Sequence, residues 1–335
     1  MTYSIIKATE KDGVEMCDLF EQTEMQAPIE MMLTRRPNVF LSYKKENENA
    51  EVFLIKSDNE IILQIACLTH EYYIDGKPVR AGYLCGLRKK PGIFKINYND
   101  FIQEIFNECK CDIYYASIID GNQRATKLLA KGHKQLPVFY PLCKNTSFVF
   151  RSKKTKPSDG FVFRDASETD GTRIEVFIKE QRGKYDFTPA FNFKNYTDLN
   201  IDNFYFIEQN NEILCVCALW WQESFKQYRV KRYNGVARIF SFLPAFPKIG
   251  EAIKSPVISF LISKDENIKY YTEMLRHIAN VIAPLSKLYT VGVSQNSVLF
   301  HVLSQRTSAA RFDSTIYTLN KPLSGDKIHI EGGLL

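Results

Sequence analysis

The sequence predicts an α/β protein built from two copies of one mixed-sheet unit, and three observations predict it. Residues 53–67, FLIKSDNEIILQIAC, align with 205–219, YFIEQNNEILCVCAL, at an offset of 152 (205 − 53). Residues 117–129, SIIDGNQRATKLL, align with 291–303, VGVSQNSVLFHVL, at an offset of 174 (291 − 117). That places Asn296 opposite Asn122 and gives the second copy 22 extra residues (174 − 152). Repetition at fixed offsets marks a duplicated unit. The third observation is the order of patterns in 81–132: a strand, a basic loop, a helix, a second strand, then a helix opened by Asn122.

Each half reads strand, helices, hairpin, long strand, helix, strand, helix and closing strand. TYSIIKATE opens the first half and FVFRDAS the second. Both hairpins turn on Asx pairs, Asp58-Asn59 and Asn210-Asn211, which tolerate the left-handed conformations of tight turns. Apolar residues crowd Tyr83–Leu87, and Phe101, Ile102, Ile105 and Phe106 recur at helical spacing. Ile113–Ile119 is rich in strand-forming residues, and closing strands fall near Thr146–Arg151 and Ser314–Leu319. A charged stretch with Pro157 and Gly160 reads as a linker over 152–160. The expected domains are therefore 1–151 and 161–321, with an insertion near 222–250 and a tail over 322–335.

At 335 residues the chain is long enough for two domains with cores of their own. Its net charge of +6 is too mild to imply a nucleic-acid partner. The chain contains eight cysteines, of which Cys109/Cys111 and Cys215/Cys217 are spaced i, i+2 with no C-x-x-C pair. Residues so spaced on a strand share a face, so packed thiols are expected rather than metal ligands or disulfides. No apolar run is long enough to span a bilayer, and MTYSIIKATEKDG lacks a signal-peptide pattern, so a cytoplasmic protein is expected.

A strand that feeds through a loop into a helix N-terminus favours a phosphate, because loop N–H groups and the helix dipole both attract an anion. Every parallel βαβ unit contains such a turn, so alone it is a weak signal. Gly82-Tyr83-Leu84-Cys85-Gly86-Leu87-Arg88, Pro91, and Asn122-Gln123-Arg124-Ala125 followed by Leu128 and Gly132 add to it. With these residues the block resembles the acyl-CoA-binding core of the GNAT N-acetyltransferase superfamily, in a branch with two such domains per chain. The resemblance implies two GNAT-like (acyl-CoA N-acyltransferase) domains in tandem, each a mixed twisted sheet flanked by helices. It also implies acetyl-CoA or another acyl-CoA as cofactor.

In that superfamily the first strand splays from its neighbour, the following loop wraps the pyrophosphate, and an Asn opening the next helix bonds the pantetheine arm. The resemblance carries these roles to Leu87, Arg88, Lys89, Lys90, Phe94, Lys95, Ile96, Asn97 and Asn99, and to Asn122 and Ala125. The loop departs from the usual pattern. Phe94 stands at the basic or amide position, and Asn97 and Asn99 stand where glycines are expected. Asn tolerates positive φ best among non-glycine residues, so the cradle is expected to survive. The second half's loop, Leu261–Asn267, has no glycine and brings two carboxylates where phosphates would sit, so a structural or acceptor-binding role is expected there.

Acyl transfer to an amine needs a base, a polarised thioester carbonyl and an acid for the leaving thiolate. The superfamily's usual acid, a Tyr seven residues after the Asn, is replaced here by Leu129. Tyr140 is the nearest candidate acid, with Tyr114 and Tyr115 as others, and His70 and Glu30 are candidate bases, beside Glu21, Glu24 and Glu71; tyrosines and lone histidines are more often core residues than catalysts. In the insertion, Phe225, Tyr228 and Tyr233 alternate with Lys226, Arg229, Lys231 and Arg232, which reads first as a half-buried strand with a solvated basic face. The expected function is N-acyl transfer from acyl-CoA to a small-molecule or peptide amine acceptor. The alternatives are a non-catalytic acyl-CoA-binding protein and an aminoacyl-tRNA-dependent transferase.

Overall fold

The computed structural model describes residues 3–21, 29–92, 95–130, 134–156, 160–196, 198–240, 242 and 247–335. The first sequence half runs β1 (Tyr3–Lys7), α1 (Gly13–Glu21), β2 (Ile29–Thr34), α2 (Val39–Glu46), β3 (Glu51–Ser57) and β4 (Glu60–Ile74). It continues with β5 (Lys77–Lys89), α3 (Tyr98–Cys109), β6 (Ile113–Ile119), α4 (Gln123–Ala125) and β7 (Phe139–Arg151). The second half runs β8 (Val162–Asp165), α5 (Gly171–Arg182), β9 (Phe187–Pro189), β10 (Phe204–Gln209), β11 (Glu212–Trp220) and β12 (Gln227–Tyr233). Then come α6 (Ala237–Phe240), β13 (Val257–Ser263), α7 (Ile268–Ile282), β14 (Leu288–Ser294), α8 (Val298–Ser304) and β15 (Ala310–Leu319).

The duplication is visible residue by residue. Asp58 and Asn59 have φ of 51° and 66°, and Asn210 and Asn211 have 51° and 64°, so both Asx turns are left-handed as their side chains allow. Each hairpin also slips register at the same place, between Ile55 and Lys56 and between Ile207 and Glu208. The starts of the halves repeat too. Thr9 donates its backbone N–H to Asp12 at 2.8 Å, and Ser167 does the same to Asp170 at 3.1 Å, reciprocal caps that launch α1 and α5. The second alignment needs a correction. Asn122 Oδ1 accepts the Ala125 N–H at 3.1 Å and caps α4, but α8 is capped by Ser297, whose hydroxyl accepts the Phe300 N–H at 3.1 Å. Asn296 instead donates to the Asp326 carbonyl at 2.6 Å. Serine and asparagine cap a helix equally well, which is why the residue types alone misplace the match by one position.

The chain packs as two compact units, each drawing on both sequence halves. The first comprises residues 1–68, 84–109 and 222–254, and the second 69–83, 110–221 and 255–335. In the first unit β1 pairs antiparallel with β3, β3 with the start of β4, and β12 of the insertion with β2. Helix α3 buries Phe101, Ile102, Ile105 and Cys109, the face its spacing predicts.

In the second unit the strand order β6-β15-β7-β14-β13-β11-β10-β8 exchanges the closing strands of the two halves. β15, from the second half, lies between β6 and β7 of the first, and β7 pairs on its other edge with β14. Helix α7 packs Tyr271, Met274, Leu275, Ile278, Ala279 and Ile282 against this sheet, a stripe at i, i+3, i+4, i+7, i+8 and i+11. Cys215 and Cys217 are fully buried in the same core. All the cysteines are free thiols, and burial raises the pKa of both Cys215 and Cys217. No helix among the described residues is long and apolar enough to cross a membrane.

Candidate functional site

Parallel strands β5 and β6 pair only at Ala81·Ile113, Gly82·Tyr114 and Tyr83·Tyr115. Beyond Tyr115, β6 runs on to Ile119 and, among the described residues, pairs only with β15, so no described strand covers the other edge of Ala116–Ile119. An open strand edge can take an extended, amide-bearing group. Below it lies a buried aromatic cluster: the Tyr72 and Tyr115 hydroxyls share a hydrogen bond of 2.8 Å, and Tyr83 stacks on Tyr115 at 5.0 Å. Tyr114 accepts the Cys111 N–H at 3.1 Å. Both tyrosines considered as acids on β6 are thus hydrogen-bonded within this unit, Tyr115 to Tyr72 and Tyr114 to the Cys111 N–H.

The second half contains the same opening, and it is filled. β13 and β14 pair only at Val257·Thr290 and Ile258·Val291. Past that point the segment Ile328–Leu334 packs against both strands. Phe260 sits at φ 49° on a bulge and donates its N–H to Glu331 Oε2 at 3.0 Å. Gly292 and Gly332 bring their backbones so close that a Cβ on Gly292 would sit 2.6 Å from the Gly332 Cα. Glycine is required there by contact rather than by conformation.

The predicted cofactor residues divide between the units: Leu87 through Asn99 in the first, Asn122 and Ala125 in the second. Gly86 has φ 65°, and the Tyr43 hydroxyl occupies the space a side chain would need, so this position in β5 demands glycine. Its counterpart at an offset of 174 is Phe260 (260 − 86). Arg88 turns inward: its guanidinium lies 4.4 Å from the Phe20 ring and donates to the Phe20 and Leu87 carbonyls. Burial lowers its pKa. Lys89 and Lys95 are exposed, Lys90 pairs with Glu60 at 2.5 Å, and Ile96 is buried. Phe94 lies outside the described residues.

Asn97 and Asn99 are not glycine substitutes, which corrects the expectation drawn from their conformational tolerance, because neither has positive φ. Asn97 Oδ1 accepts the Asn99 N–H at 3.1 Å, and the Asn97 N–H donates to the Tyr3 hydroxyl at 3.0 Å. The Asx turn wins over the left-handed conformation because it satisfies donors at the start of α3.

The catalytic candidates are placed as follows. Glu30 is buried on β2, and its Oε2 accepts from Arg232 Nη2 at 2.7 Å and Nε at 2.9 Å, so the insertion's basic strand neutralises it. His70 is buried on β4, stacked at 6.1 Å on Tyr196. Tyr140 is half-buried on β7, opposite Thr318 of β15. Glu21 accepts from Thr34 and from Arg36, while Glu24 lies outside the described residues.

Sequence reasoning missed a buried polar cluster in the first unit. Arg35 and Glu46, both under 5% exposed, pair at 2.6 Å, and the Arg35 guanidinium lies 4.0 Å from the Tyr43 ring. Lys226 of the insertion approaches Glu46 at 4.0 Å. Burial alone would lower the Arg35 pKa, but Glu46 more than offsets it and raises it. Burial also pushes the Cys85 thiol up to about 12.

No protein-family model and no curated protein matches the chain. Solved structures do. Saccharomyces cerevisiae N-myristoyltransferase with bound myristoyl-CoA superposes with a TM-score of 0.60 over 95% of this chain and 82% of that one, at 11% identity. A second structure of the yeast protein, with bound myristoyl-CoA and inhibitors, gives 0.61 over 98% and 84%, at 10% identity. A GCN5-related N-acetyltransferase from Anabaena variabilis ATCC 29413 gives 0.54 over 95% and 72%, at 10% identity. The chain is thus an α/β protein of the GNAT fold. It carries that fold in the two-copy form, along nearly its whole length.

Proposed function

We propose that this protein is an N-acyltransferase that takes an acyl group from acyl-CoA and passes it to an amine of a small molecule or peptide. The observation that carries the proposal is the short β5·β6 ladder, which ends after Tyr83·Tyr115 and leaves Ala116–Ile119 with an open edge. The likeness to acyltransferases supports the same reading. The left-handed backbone at Gly86 supports it too: its counterpart Phe260 shares the positive φ and turns an N–H onto a carboxylate oxygen, and a thioester carbonyl needs such a donor as charge develops on it. The first sequence half, 1–151, is the acyl-CoA half in this proposal, and the filled β13·β14 opening argues against a second cofactor site.

Asn122 would bond the pantetheine arm through its side-chain amide N–H, since Oδ1 already caps α4. The acyl group is acetyl by sequence resemblance, whereas the yeast protein binds myristoyl-CoA, so both thioesters belong in the test. The protein is incubated with each thioester and a panel of amines and peptides, and free CoA thiol is followed. Acceptor-dependent thiol release is expected, with acyl-CoA affinity about tenfold weaker in Asn122→Ser, which keeps the capping oxygen and loses the amide donor. Tight binding without release under any acceptor favours the non-catalytic reading. Absence of binding to either thioester overturns both.

A further inference from the structure

Among the described residues, Arg35 and Arg182 are the two arginines exposed by 5% or less, and their surroundings differ. Arg35, at 4% exposed, has Glu46 at 2.6 Å. Arg182, at 5% exposed, ends α5 in the second unit, and among the described residues no carboxylate lies within 4.0 Å of its guanidinium. A guanidinium has five N–H donors, and keeping its charge from water without an acceptor is costly. Arg182 instead lines a cavity of about 170 Å³, together with Tyr185, Ser263, Tyr271, Lys184 and Lys327.

The acids at this cavity are already engaged. Asp265 pairs with Lys184 at 2.7 Å, and Glu266 accepts the Tyr185 hydroxyl at 2.8 Å. The Tyr185 ring lies 5.0 Å from the Arg182 guanidinium, and its hydroxyl, which donates to Glu266, is also within reach of Arg182. Three cations (Arg182, Lys184, Lys327) against two carboxylates (Asp265, Glu266) leave a local excess of one positive charge. The volume is well under the ~300–1,000 Å³ of pockets that hold whole small molecules, so it admits a group rather than a complete cofactor.

We propose that the cavity beneath Arg182 is an oxyanion site that takes the carboxylate or phosphoryl group of a ligand. Either group matches the planar fork of a guanidinium and supplies the anionic partner that no carboxylate among the described residues gives it. The site does not depend on acyl transfer: it belongs wholly to the second unit and stands or falls apart from acyl-CoA binding.

The test uses the whole protein labelled with ¹⁵N-arginine, titrated at constant ionic strength with inorganic phosphate, with acetate, and with chloride as control. The Arg182 Nε–H resonance is assigned by its loss in Arg182→Lys. Saturable movement of that resonance with phosphate or acetate, and not with chloride, is expected. The ion that moves it at lower concentration identifies the group as phosphoryl or carboxylate. Arg182→Gln should weaken binding about tenfold or more, and Lys327→Gln, at an exposed position, about threefold. The second variant decides the matter if Arg182→Gln does not fold. No saturable response to either ion, or equal affinity in Lys327→Gln and wild type, overturns the proposal.

Discussion

At the scale of single residues, two buried ionisable groups make measurable demands. Glu46 neutralises Arg35 inside the first unit, so Glu46→Ala leaves a guanidinium buried without its partner. That change should cost about 3–5 kcal/mol, read as a fall in the urea midpoint with unchanged slope. A loss under 1 kcal/mol would mean that water reaches the pair. His329 is the second case. Burial and the nearby Arg182 lower its pKa to about 4 from the ordinary 6.5, although Glu331 at 3.3 Å pulls the other way. The folded state therefore resists a proton that the unfolded chain accepts. Its contribution is complete above pH 6.5 and is lost as pH falls toward 4. Between pH 7 and pH 5 the loss should be about 2 kcal/mol. His329→Gln should remove that part of the slope, and an identical pH profile in the variant would contradict the assignment.

At the scale of elements, legibility followed the range of the interaction. The hairpin turns at Asp58-Asn59 and Asn210-Asn211 were legible because an Asx pair at left-handed φ is decided within four residues. The buried faces of α3 and α7 were legible because period alone dictates them. The turn at Asn97 was not, since asparagine serves both a left-handed conformation and an Asx turn, and a neighbour, Tyr3, is 94 positions away. Nor was the neutralisation of Glu30 by Arg232, which depends on β12 folding against β2 across 202 positions. A related demand falls on Gly332. Its backbone meets that of Gly292 where β13 and β14 separate, so Gly332→Ala should destabilise the protein by about 1–3 kcal/mol. A neutral effect, by thermal melting, would show that the segment Ile328–Leu334 can leave the opening.

At the scale of the whole molecule, the duplication was read from two offsets, but the exchange of closing strands was not. Strand order is non-local, and β7 and β15 carry patterns that fit either half. The exchange means that residues 1–151 and 161–335 made as separate chains would each lack a strand partner: β7 loses both β14 and β15. Each alone should be insoluble or unfolded, and mixing them should restore structure. Two soluble, folded halves would contradict the strand order. The exchange also ties the open edge of β6 to the second half, since β15 supplies that strand's other neighbour.

The central claim is that one of two related openings accepts acyl-CoA while the other is filled by the chain itself. Calorimetric titration of the intact protein with acetyl-CoA and with myristoyl-CoA tests it most directly, read for stoichiometry as well as affinity. The account predicts one site per chain, weakened in Asn122→Ser and unchanged in Lys327→Gln. Two equivalent sites per chain, or no heat with either thioester, would contradict it.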